Sequence, residues 1–371
     1  MKQKTKRGRH LKTKQLMTWS GLLLLTLLFF GCKPPPPPPE TTVTHGILVL
    51  NEGNWHVNNS TITYYNLETG EVIEDIFEAT NHRKLGDTGN DLQQYGHKLY
   101  CVVNESEIIE VMDLKCKSLK QISLIGKSPR RIAFHEGKAY ICCFDGDVVQ
   151  IDTVTLTIGA MRQAGRNPES LCVANNKLYV ANSGGLDFQN RDNTVSVFNL
   201  ATFSLAKTIT VALNPCIIKA DPISGYVYLV SRGDYEDIAA VLQKIDSQTD
   251  NVVQTYSQSV YNFVLDGNRA YVNHVVYENS APKSLGIKIL NLQTGEMSAS
   301  PFITDNTTLR QPYGIHIVNG NIFITDAYSY TINGDVYCFD KAGRKLYQFE
   351  AGISPSVVLE IKATITTEVN V

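Results

Sequence analysis

Three stretches of the chain lie over one another residue by residue, and this repetition limits the fold more than any other feature. They are "KLYCVVNESEIIEVMDLKCKSLKQISLIGKSPRRIAF" from Lys98, "KAYICCFDGDVVQIDTVTLTIGAMRQAGRNPESLCV" from Lys138 and "KLYVANSGGLDFQNRDNTVSVFNLATFSLAKTITVALNPCIIKA" from Lys177. Each opens with Lys-x-Tyr in an apolar strand, passes a variable loop, and runs through a strand ending in Asp or Asn. A polar turn, another strand, a Pro and a fresh apolar strand follow. Four short strands per unit is the pattern of one propeller blade, which cannot bury its faces alone and must stack on copies of itself.

The prolines set the period. Pro129, Pro168, Pro215, Pro312 and Pro355 each precede an inner-strand pattern, Tyr261 holds the equivalent place in "QSVYNFVLDG", and Thr88 opens one more by spacing. The intervals, roughly 39 to 51 residues, suit a blade. The first block offers three strands, at "GILVLNEGN" and "STITYYNLETGEVIEDIF", and the last, "ISPSVVLEI", offers one inner strand without partners. Joining them completes a blade from both ends of the chain and removes the open edges. The predicted fold class is therefore all-β: a seven-bladed β-propeller of four-stranded antiparallel blades over 46–361, its first blade closed by the C-terminal strand, with a tail at 362–371.

Ahead of the propeller, residues 1–14 carry Lys2, Lys4, Lys6, Arg7, Arg9, Lys12 and Lys14 and no acid, and Leu16 to Phe30 is almost wholly apolar. This is the layout of an export signal over 1–31, about 15 apolar residues against the roughly 20 needed to span a bilayer. Gly31 before Cys32, after Leu28, Phe29 and Phe30, resembles the lipobox of bacterial lipoproteins, in which the cysteine is acylated. Residues 32–45 then form a spacer whose six prolines reach about 19 Å as polyproline II. Without the signal the chain has a net charge of about −9, which makes it a poor nucleic-acid binder, since phosphate contact needs surplus Lys and Arg, and no nucleic-acid partner is expected.

"KLYVANSG" with "NTVSVFNLATFSLAKTITV" resembles the YVTN or YncE-like propeller repeats. The order "NEGN" at Asn51, "YY" at Tyr64, "KLGD" at Lys84 and "TDAYSYTINGDVYCFDKAGRKLYQFEAGISPS" near the end, behind a lipoprotein signal, resembles the seven-bladed surface lipoproteins that accompany TonB-dependent transporters. The resemblance covers roughly 46–361. It implies a surface-exposed outer-membrane lipoprotein that binds cobalamin or another corrinoid as cargo and passes it to such a transporter.

The loops between second and third strands share one rim with the links into the next inner strand. They are minimal at "NESE" and "FDGD" and expanded at "NEGNWHVNNS", "NSGGLDFQNRDN", "SRGDYEDIAA", "NHVVYENSAPKSLG" and "TDAYSYTING". Extra length on one rim costs entropy and points to function. It brings Trp55, His56, Phe188, Arg191, Tyr235, Tyr277, Tyr328 and Tyr330 to one end, with Lys84, Asp87 and Arg130 arriving through the links. Flat aromatics with guanidinium donors suit a broad amide-rimmed macrocycle. Arg130, beside the turn at Pro129, equally suits a salt bridge between blades.

Catalysis has less support. The inner strands "RRIAF", "SLCV", "CIIKA", "NFVLD" and "GIHIV" read as mostly aliphatic, with His316 their one imidazole, a core residue by this pattern. No catalytic residue, metal ligand or cofactor site is assigned. The Thr-Gly turns "NLETGEV" and "NLQTGEM" occur in quinoprotein propellers too, but those carry a tryptophan in each blade and this chain has only Trp19 and Trp55. Most of the thiols after Cys32 sit at strand positions where neighbouring blades place Val, Ile or Ala, as Cys101 aligns with Ile141 and Val180, and read as buried small hydrophobes. Two rival functions remain beside ligand capture: a scaffold whose rim binds protein or glycan, and a hydrolase or lactonase-like enzyme.

Overall fold

The computed structural model describes residues 40–279 and 281–367. The export signal, Cys32, the six prolines of the spacer and residues 368–371 lie outside these residues, whereas the first and last strands run out to Glu40 and Thr367, past the expected bounds of 46 and 361. The chain divides into Val43–Ala363 and a unit of its two terminal segments. The first of these is the propeller.

Seven antiparallel sheets make it up. Blade 1 takes strands Glu40–Asn51, Thr61–Asn66 and Val72–Ile73 from the start of the chain and Pro355–Thr367 from its end, the last in the inner position. The predicted closure of the first blade by the C-terminal strand is thus present. Blades 2 to 7 follow at 89–123, 129–163, 168–210, 215–256, 260–291 and 312–353. In blade 6 three strands are regular, and the fourth position is filled by an irregular segment that bridges Met297 to Leu290 and donates Phe302 N to Ile287 O. A short helix, α1 (Ile76–Asn81), capped by the Asp75 carboxylate, links blades 1 and 2.

The alternation of each second strand explains the Lys-x-Tyr signature. Tyr100, Tyr140, Tyr179, Tyr228 and Tyr271 all point into the core shared with the following blade, and Leu99, Leu178 and Ala270 point into the core shared with the preceding one. Each hydrophobic cluster therefore lies between neighbouring blades, and the last joins Phe323 and Val336 of blade 7 to Ile47 and Val49 of blade 1. The lysine and tyrosine also staple blades together. Lys98 Nζ and Tyr100 Oη both donate to Thr153 O, and Lys177 Nζ and Tyr179 Oη both reach Ser247 O and the Asp250 carboxylate. Cys101, Cys116, Cys142, Cys143, Cys172, Cys216 and Cys338 are free and buried.

One backbone bond recurs in every blade and fixes the rim. The residue that follows the second strand, or in blade 6 lies within its extension, donates its N–H to the residue that precedes the inner strand: Glu52 to Ser354, Asn104 to Thr88, Phe144 to Ser128, Ser183 to Asn167, Arg232 to Asn214, Val275 to Ser259 and Ala327 to Gln311. Immediately after this bond the inner strand bulges, between Gly89 and Asp91, Pro129 and Arg131, Pro168 and Ser170, Pro215 and Ile217, Val260 and Asn262, and Pro312 and Ile315. A bulge leaves one residue outside the ladder and re-aims it. Two rings of side chains result at the channel mouth. One comes from the bulges, including Arg130, Glu169, Cys216, Tyr261 and Tyr313. The other comes from the loop starts, including Glu52, Phe144 and Arg232. Val260 and Gly89, not Tyr261 and Thr88, therefore hold the strand-opening position, one residue away from the expected register.

Candidate functional site

These rings interlock. Tyr313 Oη donates to Glu52 Oε2 at 2.9 Å, the Arg130 guanidinium bonds Glu169 Oε1 and lies 4.3 Å from the centre of the Phe144 ring, and Arg232 lies 4.1 Å over Tyr261. Burial pushes the Glu52 carboxyl above its usual range, against the opposing pull of Arg131, the Tyr313 hydroxyl and Arg130. Arg130 thus forms the inter-blade salt bridge that its position beside Pro129 allowed.

Outside the mouth, the sequence-predicted residues fall into two sectors. Across blades 7, 1 and 2, Trp55 is 69% exposed and stacks on His56 at 4.0 Å. Asp87 works as a clip, accepting Thr88 Oγ1 and the backbone N–H groups of His56 and Asn58, and Lys84 Nζ donates to Asn58 O. Tyr328 donates its hydroxyl to Asp335 Oδ2 and lies under Arg310 at 5.2 Å. Tyr330 packs edge-on to Tyr313 and accepts Gln311 Nε2 at 3.0 Å. Across blades 4, 5 and 6, Arg191 sits 5.1 Å from Phe188 and 4.6 Å from Tyr235, whose ring meets Tyr277 edge-on at 5.3 Å. Tyr277 lies on a ribbon, because the stretch expected as a loop continues the blade 6 strands as Arg269–Glu278 and Ala281–Asn291. Its β-branched run at Val275 and Val276 favours pairing over a loop.

Three of these tyrosines are held in left-handed backbone: Tyr235 at φ 69°, Tyr328 at φ 49° and Tyr330 at φ 62°. Bulky residues avoid that region at a cost of about 1–2 kcal/mol each.

The channel differs from its sequence reading. A cavity of about 540 Å³ runs along the inner strands, and Asp91, Gln93, Arg131, Ser170, Lys219, Asn262, His316 and Ser356 line it. Apolar residues of those strands border it too, among them Ile132, Leu171 and Ile218, but these three, like Phe263 and Ile315, are buried in the inter-blade cores. Burial, reinforced by Arg131, lowers the Lys219 ammonium to about 8, and its Nζ donates to Phe263 O at 2.6 Å. Burial, reinforced by Lys219, lowers His316 to about 3, so the ring is neutral in the channel, where Nε2 meets Ser356 O at 2.9 Å. No group of three or more His, Cys, Asp or Glu able to hold a metal ion occurs among the described residues.

Sequence reasoning missed Glu52, Glu169, Arg232, Tyr261 and Tyr313 as mouth residues. A signal for two of them was present, since Glu169 and Tyr313 each lie one residue past a strand-opening Pro; Tyr261 lacks that Pro, and Glu52 and Arg232 follow strands without the Lys-x-Tyr signature.

A seven-bladed β-propeller with an aromatic and charged rim is the class that this geometry defines. The chain belongs to the family described as a domain of unknown function, DUF5074, whose profile matches residues 45–346. No curated protein matches its sequence significantly. Among solved structures it is similar to Kuenenia stuttgartiensis hydrazine synthase, with TM-score 0.59, 14% identity, and 74% of this chain and 94% of that one covered. It is also similar to the computationally designed Ika8 protein, with TM-score 0.56, 12% identity and coverages of 83% and 89%. Apo AztD from Citrobacter koseri aligns with TM-score 0.53, 11% identity and coverages of 86% and 98%. At such identities the likeness is one of fold.

Proposed function

We propose that the protein is a lipid-anchored, ligand-binding propeller that captures a corrinoid, cobalamin or a relative, on this rim at the outer face of the outer membrane and passes it to a TonB-dependent transporter. It acts as a binder of cargo with no chemistry of its own and no resident cofactor. Acylated Cys32 and the proline spacer supply the tether.

The observation that carries the reading is the conformation of Tyr235, Tyr328 and Tyr330. Strain of this kind persists only where surrounding structure holds it, and it clusters at ligand clamps. The fold itself does not demand a tyrosine there, since blades 2 and 3 join the same two strands through 104–107 and 144–146, where the left-handed residues are Glu107 and Gly146. Rigid aromatics already held in place lose little entropy on binding and suit the faces and edges of a flat macrocycle.

The test is a titration of purified protein with cobalamin, followed by visible absorbance, with thermal midpoints recorded for each sample. Saturable binding at micromolar protein is expected. A folded wild type that binds no cobalamin overturns the corrinoid reading and puts a protein or glycan ligand in its place.

A further inference from the structure

The arginines of the propeller fall into two groups. Arg83, Arg130, Arg166, Arg269 and Arg344 each face a carboxylate. Among the described residues Arg131, Arg162, Arg191, Arg232 and Arg310 have none at ion-pair distance; Arg162, on the outer strand of blade 3, donates instead to Phe203 O and Met161 O, and the other four lie in the channel, at its mouth or on the rim loops around it. Two of them converge on Tyr277, whose hydroxyl is raised above its usual range by burial against the opposing charge of Arg232, with Tyr235 and Tyr261 beside it. Arg191 rests on Tyr235, Arg232 rests on Tyr261, and Tyr235 touches Tyr277.

The donors of this group are unused. Arg191 Nε, Arg232 Nε and Tyr277 Oη are buried and have no hydrogen-bond partner. Neighbouring acids are already committed: Glu169 to Arg130, Asp192 to Arg166, and Asp234 to the backbone N–H groups of Glu236 and Ile238. A buried unpaired donor costs the full desolvation of that group, and more when it is charged. Two cations and a hydroxyl left so at one point are satisfied together by an oxyanion and by little else.

We propose that Arg191, Arg232 and Tyr277 form an oxyanion subsite on the blade 4 to 6 side of the channel mouth, which takes a phosphate, phosphodiester or carboxylate group of the ligand. The inference rests on the reading that the rim holds a small molecule, but not on that molecule being a corrinoid.

The test titrates wild type, Arg232→Gln and Tyr277→Phe with inorganic phosphate and, separately, acetate, following the arginine Nε–H signals by NMR. Saturable shifts in the wild type are expected, weakened roughly ten- to a hundredfold by Arg232→Gln, the worth of a charge-assisted hydrogen bond. A preference for phosphate marks a phosphate-bearing ligand, and a preference for acetate marks a carboxylate. Tyr277→Phe removes a buried hydroxyl that has no partner, so it weakens anion binding while the thermal midpoint holds or rises. No response to either anion, or wild-type affinity in a folded Arg232→Gln, overturns the subsite. Anion binding without cobalamin binding leaves the subsite standing and removes the corrinoid. Cobalamin bound equally by wild type and Arg232→Gln, with no anion response, does the reverse.

Discussion

On the face opposite the rim, an Asn or Asp ends the third strand of every blade and folds back on its own turn. Asn66, Asp113, Asp152, Asn199, Asp246, Asn291 and Asp340 each accept the backbone N–H two residues on. The cations there are paired as well: Lys138 with Asp152, Lys177 with Asp250, Arg344 with Asp340. The rim has the same number of connections and a different finish, with long loops and buried guanidinium donors lacking acceptors, while left-handed residues occur on both faces, Cys116, Leu156 and Phe203 among them on the closed one. One scaffold therefore carries two kinds of turn. A turn that satisfies its own polar groups closes a face at little cost, and turns left short of acceptors keep the other face open to a ligand.

The largest effect should come from a change that both faces share. Ending the chain at Ser354 removes the inner strand Pro355–Thr367, takes Val358 and Ile361 out of two inter-blade cores, and opens a sheet edge. Cooperative unfolding in urea should be lost and ligand binding with it; an unchanged midpoint would mean that the ring closes without this strand. Next comes Tyr179→Ala. It empties a fully buried site between blades 4 and 5 and cuts the bonds to Ser247 and Asp250, so it should cost about 3–5 kcal/mol of stability. Because it lies toward the closed face, ligand affinity measured below the new midpoint should be unchanged.

The rim should answer in the opposite sense. Tyr235→Gly relieves a left-handed backbone and removes a ring that holds Arg191 and Tyr277 in place. Stability should move by less than about 1 kcal/mol, since the glycine gains in conformation what it loses in chain entropy. Affinity for the rim ligand should fall by about 1–3 kcal/mol. A large loss of stability with affinity intact would make Tyr235 a plug for its own loop and erase the contrast between the faces.

What was legible in the sequence follows the same division. The blades were readable because Lys-x-Tyr, the strand-opening Pro and the terminal Asn or Asp are local signals, repeated at fixed offsets and each tied to one backbone geometry. Closure through Pro355–Thr367 followed from counting strands. The long rim loops were visible by length alone, yet their internal arrangement was not, because it depends on contacts between blades. Asp87 clips a loop that begins some 30 residues before it, and Arg130 finds Glu169 across a blade boundary. The polar channel was hidden by counting residue types along the inner strands. A bulge resets their alternation, so the aliphatics of "RRIAF" and "CIIKA" turn sideways while Arg131 and Lys219 face inward.

The smallest expected effect tests the closed face on its own terms. Asn291 Oδ1 accepts from Gln293 N at 2.9 Å and Thr294 N at 3.0 Å in a solvent-exposed turn, and Asn66 makes the same pair of bonds in blade 1. Asn291→Ala returns those N–H groups to water, which can replace most of what they lose, so the cost should be about 0.5–1.5 kcal/mol. The Asn66→Ala turn shares no partner with it, and the double variant should lose the sum of the two single losses within about 0.5 kcal/mol. Ligand affinity should not change in any of the three. Additive losses read from urea midpoints would confirm that each turn on this face is satisfied independently. A coupled loss, or one that also weakened binding, would show that the closed face reaches the rim through the blades, and the two faces would have to be treated as one system.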